Sequence, residues 1–234
     1  MGKDPEARKS EGVFLCDGEK LLTEAVQNGM RVREVLLCRG REFAVPAGAD
    51  VYTAADDVFV YASPLVNSPG PLFTVEIPKT ESSDAPDSAI VLENVQDPGN
   101  VGTVLRTAAA LGIGAVILTG ECADPYNPKT VRASMGALFR QRFMTLPLTE
   151  LKETLAEWAL PLYGAALSND SVDLRTVSLR HAAVAVGNEG KGLSSGILNL
   201  CDKKIIIPMT PGSESLNAAV AASILMWEMT GKNR

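Results

Sequence analysis

The chain has very little histidine: His181 is the sole one in 234 residues. A multi-histidine metal site therefore has no material, and a Ser-His-Asp triad would have to rest on this one residue. His181 precedes the apolar run 182–186, which reads as a strand entrance, with a catalytic role as the second reading. Cysteine is also scarce. Cys16, Cys38, Cys122 and Cys201 form no Cys-x-x-Cys pair, so neither a zinc ribbon nor a dithiol redox motif has support, and free thiols of a reducing compartment are expected. Basic residues are outnumbered, 22 against 28 acidic, for a net charge of −6. That counts against a protein that coats nucleic acid non-specifically, although not against one with a local basic groove. No apolar run approaches a membrane span, and the first nine residues carry charges where a signal core would be apolar. Gly2 lacks the Ser or Thr that a myristoylation motif wants at position six, where Glu6 stands. The phosphate-binding glycine loops are missing too. Gly192 is followed by Leu193 rather than Lys, and neither Gly99-x-x-Gly102 nor Gly112-x-Gly114 continues as a dinucleotide fingerprint. A cytoplasmic protein without a membrane or metal partner is expected.

What is present is a chain that is 46% hydrophobic, long enough for one large or two smaller cores. Residues 79–88 lose apolar periodicity and read as a linker. Before it, residues 1–78 alternate strand and helix: strands at 12–18, 32–38 and 50–53, one helix with Leu21, Leu22, Ala25 and Val26 on a face, and a second near 54–59. That is the pattern of a small α/β sandwich. After it, residues 89–234 alternate repeatedly. Strands are expected at 89–95, 115–119, 142–146, 162–167, 182–187 and 204–208, and helices near 101–111, 130–139, 148–158, 195–201 and 215–230. Apolar strands joined by crossover helices call for a parallel sheet with helices on both faces.

Three segments carry the chemistry. The first is 94–103 (NVQDPGNVGT), running on through Arg106, Thr107 and Ala108. The second is 186–194 (VGNEGKGLS), and the third 207–219 (IPMTPGSESLNAA). Each follows a β-branched run, is rich in Gly, Asn, Pro and Ser, and leads into a helix. Asn100 suits an N-cap for a helix beginning at Val101, whose buried stripe would be Val101, Val104, Leu105, Ala108 and Leu111. Arg106 falls off that stripe; by itself it reads as a surface arginine with its stem packed on the helix. Ser213 or Ser215 could cap the last helix, where Leu216, Val220, Ile224 and Trp227 make one apolar stripe. Intrachain core is the default for such a stripe. Lys129, Arg132, Arg140 and Arg142 form the densest basic cluster, readable equally as a solvated helix face or as an RNA contact.

In order and spacing, the three segments resemble the three motifs of the SpoU (TrmH-like) RNA 2′-O-ribose methyltransferases of the SPOUT superfamily, over roughly residues 88–230. The resemblance implies a C-terminal trefoil knot, S-adenosylmethionine as methyl donor and a homodimer acting on RNA, ribosomal RNA before transfer RNA. It implies that Arg106, Asn100, Glu189, Ser215 and Asn217 are the catalytic set. The donor would be held by Gly187, Ile207, Leu216, Met209 and Leu167. With these motifs nearby, Lys129, Arg132 and Arg140 of the basic cluster are the candidate RNA contacts, evenly weighed against a solvated face. Glu189 could equally be structural, fixing loop amides. The sandwich at 1–78 resembles the L30e-like substrate-binding domain that many such enzymes carry, with a plain packing domain as the alternative. A catalytically silent RNA-binding protein on the same scaffold is the competing function.

Overall fold

The computed structural model describes residues 4–65, 68–78, 84–210 and 215–231. Two sheets organise them. The first is built from α1 (Pro5–Glu11), β1 (Val13–Asp17), α2 (Glu19–Gln27), β2 (Val32–Cys38), β3 (Asp50–Ala54), α3 (Asp56–Ala62) and β4 (Leu72–Glu76). Its strand order is β1-β4-β2-β3, with β4 antiparallel to both neighbours and β3 parallel to β2. The centre of this sheet thus belongs to β4, a strand absent from the pattern reading. Leu72, Phe73, Thr74 and Val75 are all buried, so the segment shows no alternation. On α2, Leu21, Leu22 and Ala25 are buried, whereas Val26 is 47% exposed and leaves the face expected of it.

The second sheet is entirely parallel in its pairings, in the order β7-β6-β5-β10-β8-β11-β9. Its elements are β5 (Ala89–Glu93), α4 (Pro98–Leu111), β6 (Ala115–Thr119), α5 (Pro128–Ser134), β7 (Phe143–Thr145), α6 (Leu148–Glu157), β8 (Leu162–Ala165), β9 (Val172–Asp173), β10 (Ala183–Val186), α7 (Ser195–Leu200), β11 (Lys203–Ile206) and α8 (Ala218–Met229). Every residue of β5, β6 and β10 is buried, because helices cover both faces. Ile90, Leu92, Val116, Leu118, Val184 and Val186 face the layer of α4 and α8. Val91, Ile117 and Ala185 face the layer of α6 and α7.

Helix boundaries correct three expectations. α4 starts three residues early, at Pro98, whose missing N–H costs nothing in a first turn. Asp97 is its cap, accepting from the Asn100 N–H at 2.9 Å, so Asn100 is not the N-cap and its side chain is free for other work. α8 is capped by Asn217, which accepts from the Ala219 and Val220 N–H groups at 3.0 and 3.2 Å. Ser215 lies before that cap, and Ser213 lies outside the described residues. The helix expected over 130–139 is broken. Met135 (φ 50°) and Gly136 (φ 84°) turn the chain left-handed between α5 and a short 3-10 turn, Ala137–Phe139.

The stripe on α8 is also different. Ala218, Ala219, Ala222, Leu225, Met226 and Met229 form the buried face, packed into the core beside α4. Val220 and Trp227 are 49% and 40% exposed, so the stripe they form with Ile224 and Leu216 is not intrachain core.

The two sheets share apolar contacts. The Phe14 ring of β1 lies 4.9 Å from Tyr126 and 6.3 Å from Phe139, centroid to centroid. The buried Arg8 side chain pairs with Asp124, and Arg140 reaches Glu24 at 3.0 Å. Of the linker read at 79–88, residues 79–83 lie outside the described residues. No described helix is long and apolar enough to cross a membrane.

Candidate active site

At the carboxyl edge of the parallel sheet, the loops after β5, β10 and β11 converge, as loops do in this architecture. Three polar side chains join them. The Asn100 amide donates to Glu189 Oε1 at 2.5 Å, and the Asn217 amide donates to Asn100 Oδ1 at 3.0 Å. Asn217 in turn holds the first amides of α8. One hydrogen-bonded chain thus runs from the second segment through the first to the third, across residues 89 and 117 positions apart.

The loop after β10 is built from within. The Asn188 side chain accepts from the Gly190 and Lys191 N–H groups at 2.9 and 3.1 Å, and donates to the Asn94 carbonyl at 3.0 Å. The Gly192 N–H returns to the Asn188 carbonyl at 2.8 Å. Asn94 (φ 55°) uses its own Oδ1 to accept from the Glu121 N–H at 2.7 Å. A Cβ at Gly187 would stand 2.3 Å from the Gly192 carbonyl carbon and oxygen, so glycine is demanded there by close backbone approach.

These loops bound a cavity of about 590 Å³. Gly187, Ile207, Met209, Leu216 and Leu167, the five residues expected around a donor, all line it, as do Ser215 and Glu189. Its walls are apolar on the side of Ala165, Ile205 and Ala218, and polar on the side of Ser168, Glu189, Lys191 and Ser215. That combination suits a nucleoside-bearing ligand: apolar surface for a flat base, polar groups such as Ser168 and Ser215 for its polar edge. S-adenosylmethionine, the donor implied by the sequence, fits this donor set and volume. Lys204, next in sequence to the lining residue Ile205, reaches Asp170 at 2.8 Å and, with Ser168, holds that carboxyl down at about 2.

Arg106 stands apart. It is exposed on α4, does not line the cavity, and makes no hydrogen bond or ion pair among the described residues. Lys129 and Arg132 are exposed on α5, while Arg140 is engaged with Glu24. Burial pushes the thiols of Cys16 and Cys122 up, and that of Cys201 to about 11, so these side chains pack as neutral groups. Among the described residues, no cluster of three or more His, Cys, Asp or Glu could hold a metal ion. The roles of Asn188 and of Glu93, a buried carboxylate at the end of β5, were not legible in advance. The lone acid closing an apolar five-residue strand was the signal available for Glu93.

A doubly covered parallel sheet with a ligand cavity folded from its carboxyl-edge loops defines the class: an α/β enzyme of the SPOUT methyltransferase type. The chain belongs to the SpoU rRNA Methylase family, whose model matches residues 87–227. It is 32% identical to the Bacillus subtilis 23S rRNA (guanosine(2553)-2′-O)-methyltransferase RlmP over 96% of this chain and 91% of that protein. Its fold superposes on a TrmH-family protein from Porphyromonas gingivalis with a TM-score of 0.85 at 30% identity, covering 97% of this chain and 93% of that one. On the SpoU methyltransferase AviRb from Streptomyces viridochromogenes, solved in complex with AdoMet, the TM-score is 0.84 at 28% identity, covering 98% and 94%.

Proposed function

We propose that the protein transfers a methyl group from S-adenosylmethionine to a ribose 2′-hydroxyl of ribosomal RNA. The observation that carries this is the convergence of all five expected donor residues on one cavity, joined through Glu189, Asn100 and Asn217 to the other two segments. The family and the activity named for the Bacillus relative point the same way. When bound, the donor would supply a methyl on a sulfonium; the ribose oxygen would take it, a neutral thioether would leave, and the hydroxyl proton would pass to solvent.

This chain's residues supply the rest. A guanidinium with a pKa above ~12 is a poor base, so Arg106 acts first as an electrostatic clamp on the developing alkoxide and the neighbouring phosphate. Proton uptake by Arg106 with phosphate assistance is secondary. Asn100 and Glu189 hold the loops in register, and Asn217 carries that order into α8. Ser215 lines the cavity between them. Lys129 and Arg132 offer phosphate contacts on the exposed face of α5, and Arg140, beside Glu24, adds to that strip.

The reading divides the chain into an L30e-like RNA substrate-binding domain at 1–78, a linker at 79–88 and the methyltransferase domain at 89–234, knotted near its C-terminus, acting in the cytoplasm. It also takes the protein as a homodimer. Val220, Ile224 and Trp227, with Asn100, Thr103 and Asn217, line an open groove of about 520 Å³ along α8. A second copy would cover the apolar part of that groove and set the active site beside the interface. Sedimentation velocity should give about twice the 24.8 kDa chain mass. The function itself is tested by incubating the protein with radiolabelled donor and, in separate reactions, unmodified ribosomal RNA and unmodified transfer RNA. Label resistant to alkaline hydrolysis at one ribose is the expected result; label on a base, or on transfer RNA alone, would defeat the proposal.

A further inference from the structure

Glu93 is the last residue of β5, and its side chain is only 4% exposed. Its two oxygens accept from the Ser194 N–H at 2.7 Å and the Ser194 hydroxyl at 2.5 Å. Ser194 caps α7 and follows Leu193, a cavity-lining residue. On the neighbouring strand Val186 pairs with Leu92, so the chain steps from there to Gly187 as β5 steps to Glu93. The carboxylate is thus buried beside the strand end that leads to Gly187, bonded to the residue after Leu193; both of those residues line the cavity, and Glu93 lies behind them. Both of its hydrogen-bonding partners are neutral, and no ion pair of Glu93 exists among the described residues. Hydrogen bonds satisfy its lone pairs but do not remove its charge, and a buried charge without a counterion is costly. The cavity lining offers no net compensation: it holds one carboxylate, Glu189, and one ammonium, Lys191.

Resting on the reading of this cavity as a sulfonium-donor site, we propose that Glu93 is a positioning residue with an electrostatic task. It fixes the loop through Ser194, and its unbalanced charge makes the cavity prefer a cationic sulfonium to the neutral thioether left after transfer. The attraction that draws the donor in is therefore lost when the methyl leaves, which favours exchange of product for fresh donor. Two unit charges about 10 Å apart at an effective dielectric of ~20 are worth roughly one order of magnitude in affinity.

The test is calorimetry on the full chain with S-adenosylmethionine and S-adenosylhomocysteine separately. Glu93→Gln is expected to lower the ratio of donor affinity to product affinity about tenfold, chiefly by weakening the donor. Ser194→Ala, which removes a hydroxyl but keeps the charge, should weaken both ligands in equal proportion. An amide variant that weakens both alike, or neither, reduces Glu93 to a structural residue and overturns the inference. Should that variant not fold, Glu93→Asp carries the decision: the charge is kept, so the ratio should stay within about twofold, and a collapsed ratio overturns the inference. A wild-type protein that binds neither ligand removes the donor reading and this inference together, whereas binding of both with an unmoved ratio removes the inference alone.

Discussion

Replacing Arg106 by alanine is expected to lower kcat for RNA methylation by about 10²–10³, the usual loss when one preorganised stabiliser of a developing oxyanion is removed. Donor affinity should stay within about twofold, because Arg106 is exposed on α4 and does not line the cavity. Stability should hardly change, since the side chain makes no hydrogen bond or ion pair among the described residues. Lysine at this position keeps the charge but not the two-pronged geometry that matches a phosphate or an alkoxide beside one, so only part of the activity should return. Single-turnover kinetics at saturating donor separate chemistry from binding. Full activity in the alanine variant would strip Arg106 of its assignment; a matching loss of donor affinity would place it in the cavity instead.

The second large effect is expected at Gly187. An alanine Cβ there would lie 2.3 Å from the Gly192 carbonyl carbon and oxygen and 2.5 Å from the Leu193 nitrogen, all of them backbone atoms. The obstacle cannot rotate away as a side-chain tip would. Either the loop at 188–193 shifts or the end of β10 does, at a cost of about 1–3 kcal/mol for overpacking. The loop is held by Asn188 and by the Glu93–Ser194 pair, and residues 187–193 all line the cavity. Gly187→Ala should therefore weaken donor binding by about 100-fold in calorimetry, with helix and strand content retained by circular dichroism. Binding within about twofold of wild type would show that the loop is not part of the donor site. Together the two variants make a contrast: Arg106→Ala binds and does not turn over, and Gly187→Ala does not bind.

The Asn100 amide shows why neighbouring positions on one helix have different fates. Asp97 takes over the capping task, which leaves Asn100 to bridge Glu189 and Asn217. From the string 94–103 alone either residue is a good cap, since Asp and Asn are nearly equivalent there. Pro98 settles the matter: it is comfortable in a first turn and pulls the start of the helix back to itself. The α8 stripe misled for a related reason. That helix is apolar nearly all round, so periodicity cannot say which face meets the chain's own core. The face of Ala218, Ala219, Ala222, Leu225, Met226 and Met229 packs inward beside α4, and Val220 and Trp227 are left more exposed. β4 escaped notice because a strand buried on both faces shows no alternation.

Much of the rest was written in the chain. The runs 89–92 and 115–118, inside the strands read at 89–95 and 115–119, are wholly apolar, as covered parallel strands are, and the Gly- and Asn-rich strings after β5, β10 and β11 marked where a ligand would sit. Such features are local: propensity, period and turn chemistry act over a few residues, and a string of letters carries them. Pairings at long range are of another kind. That β10 lies against β5, that Glu93 meets Ser194 101 residues away, and that Asn217 reaches Asn100 across 117, depend on how the strands are ordered in space. That order is chosen by the packing of whole layers, where each helix competes for each face of the sheet, and no window along the backbone contains the competition.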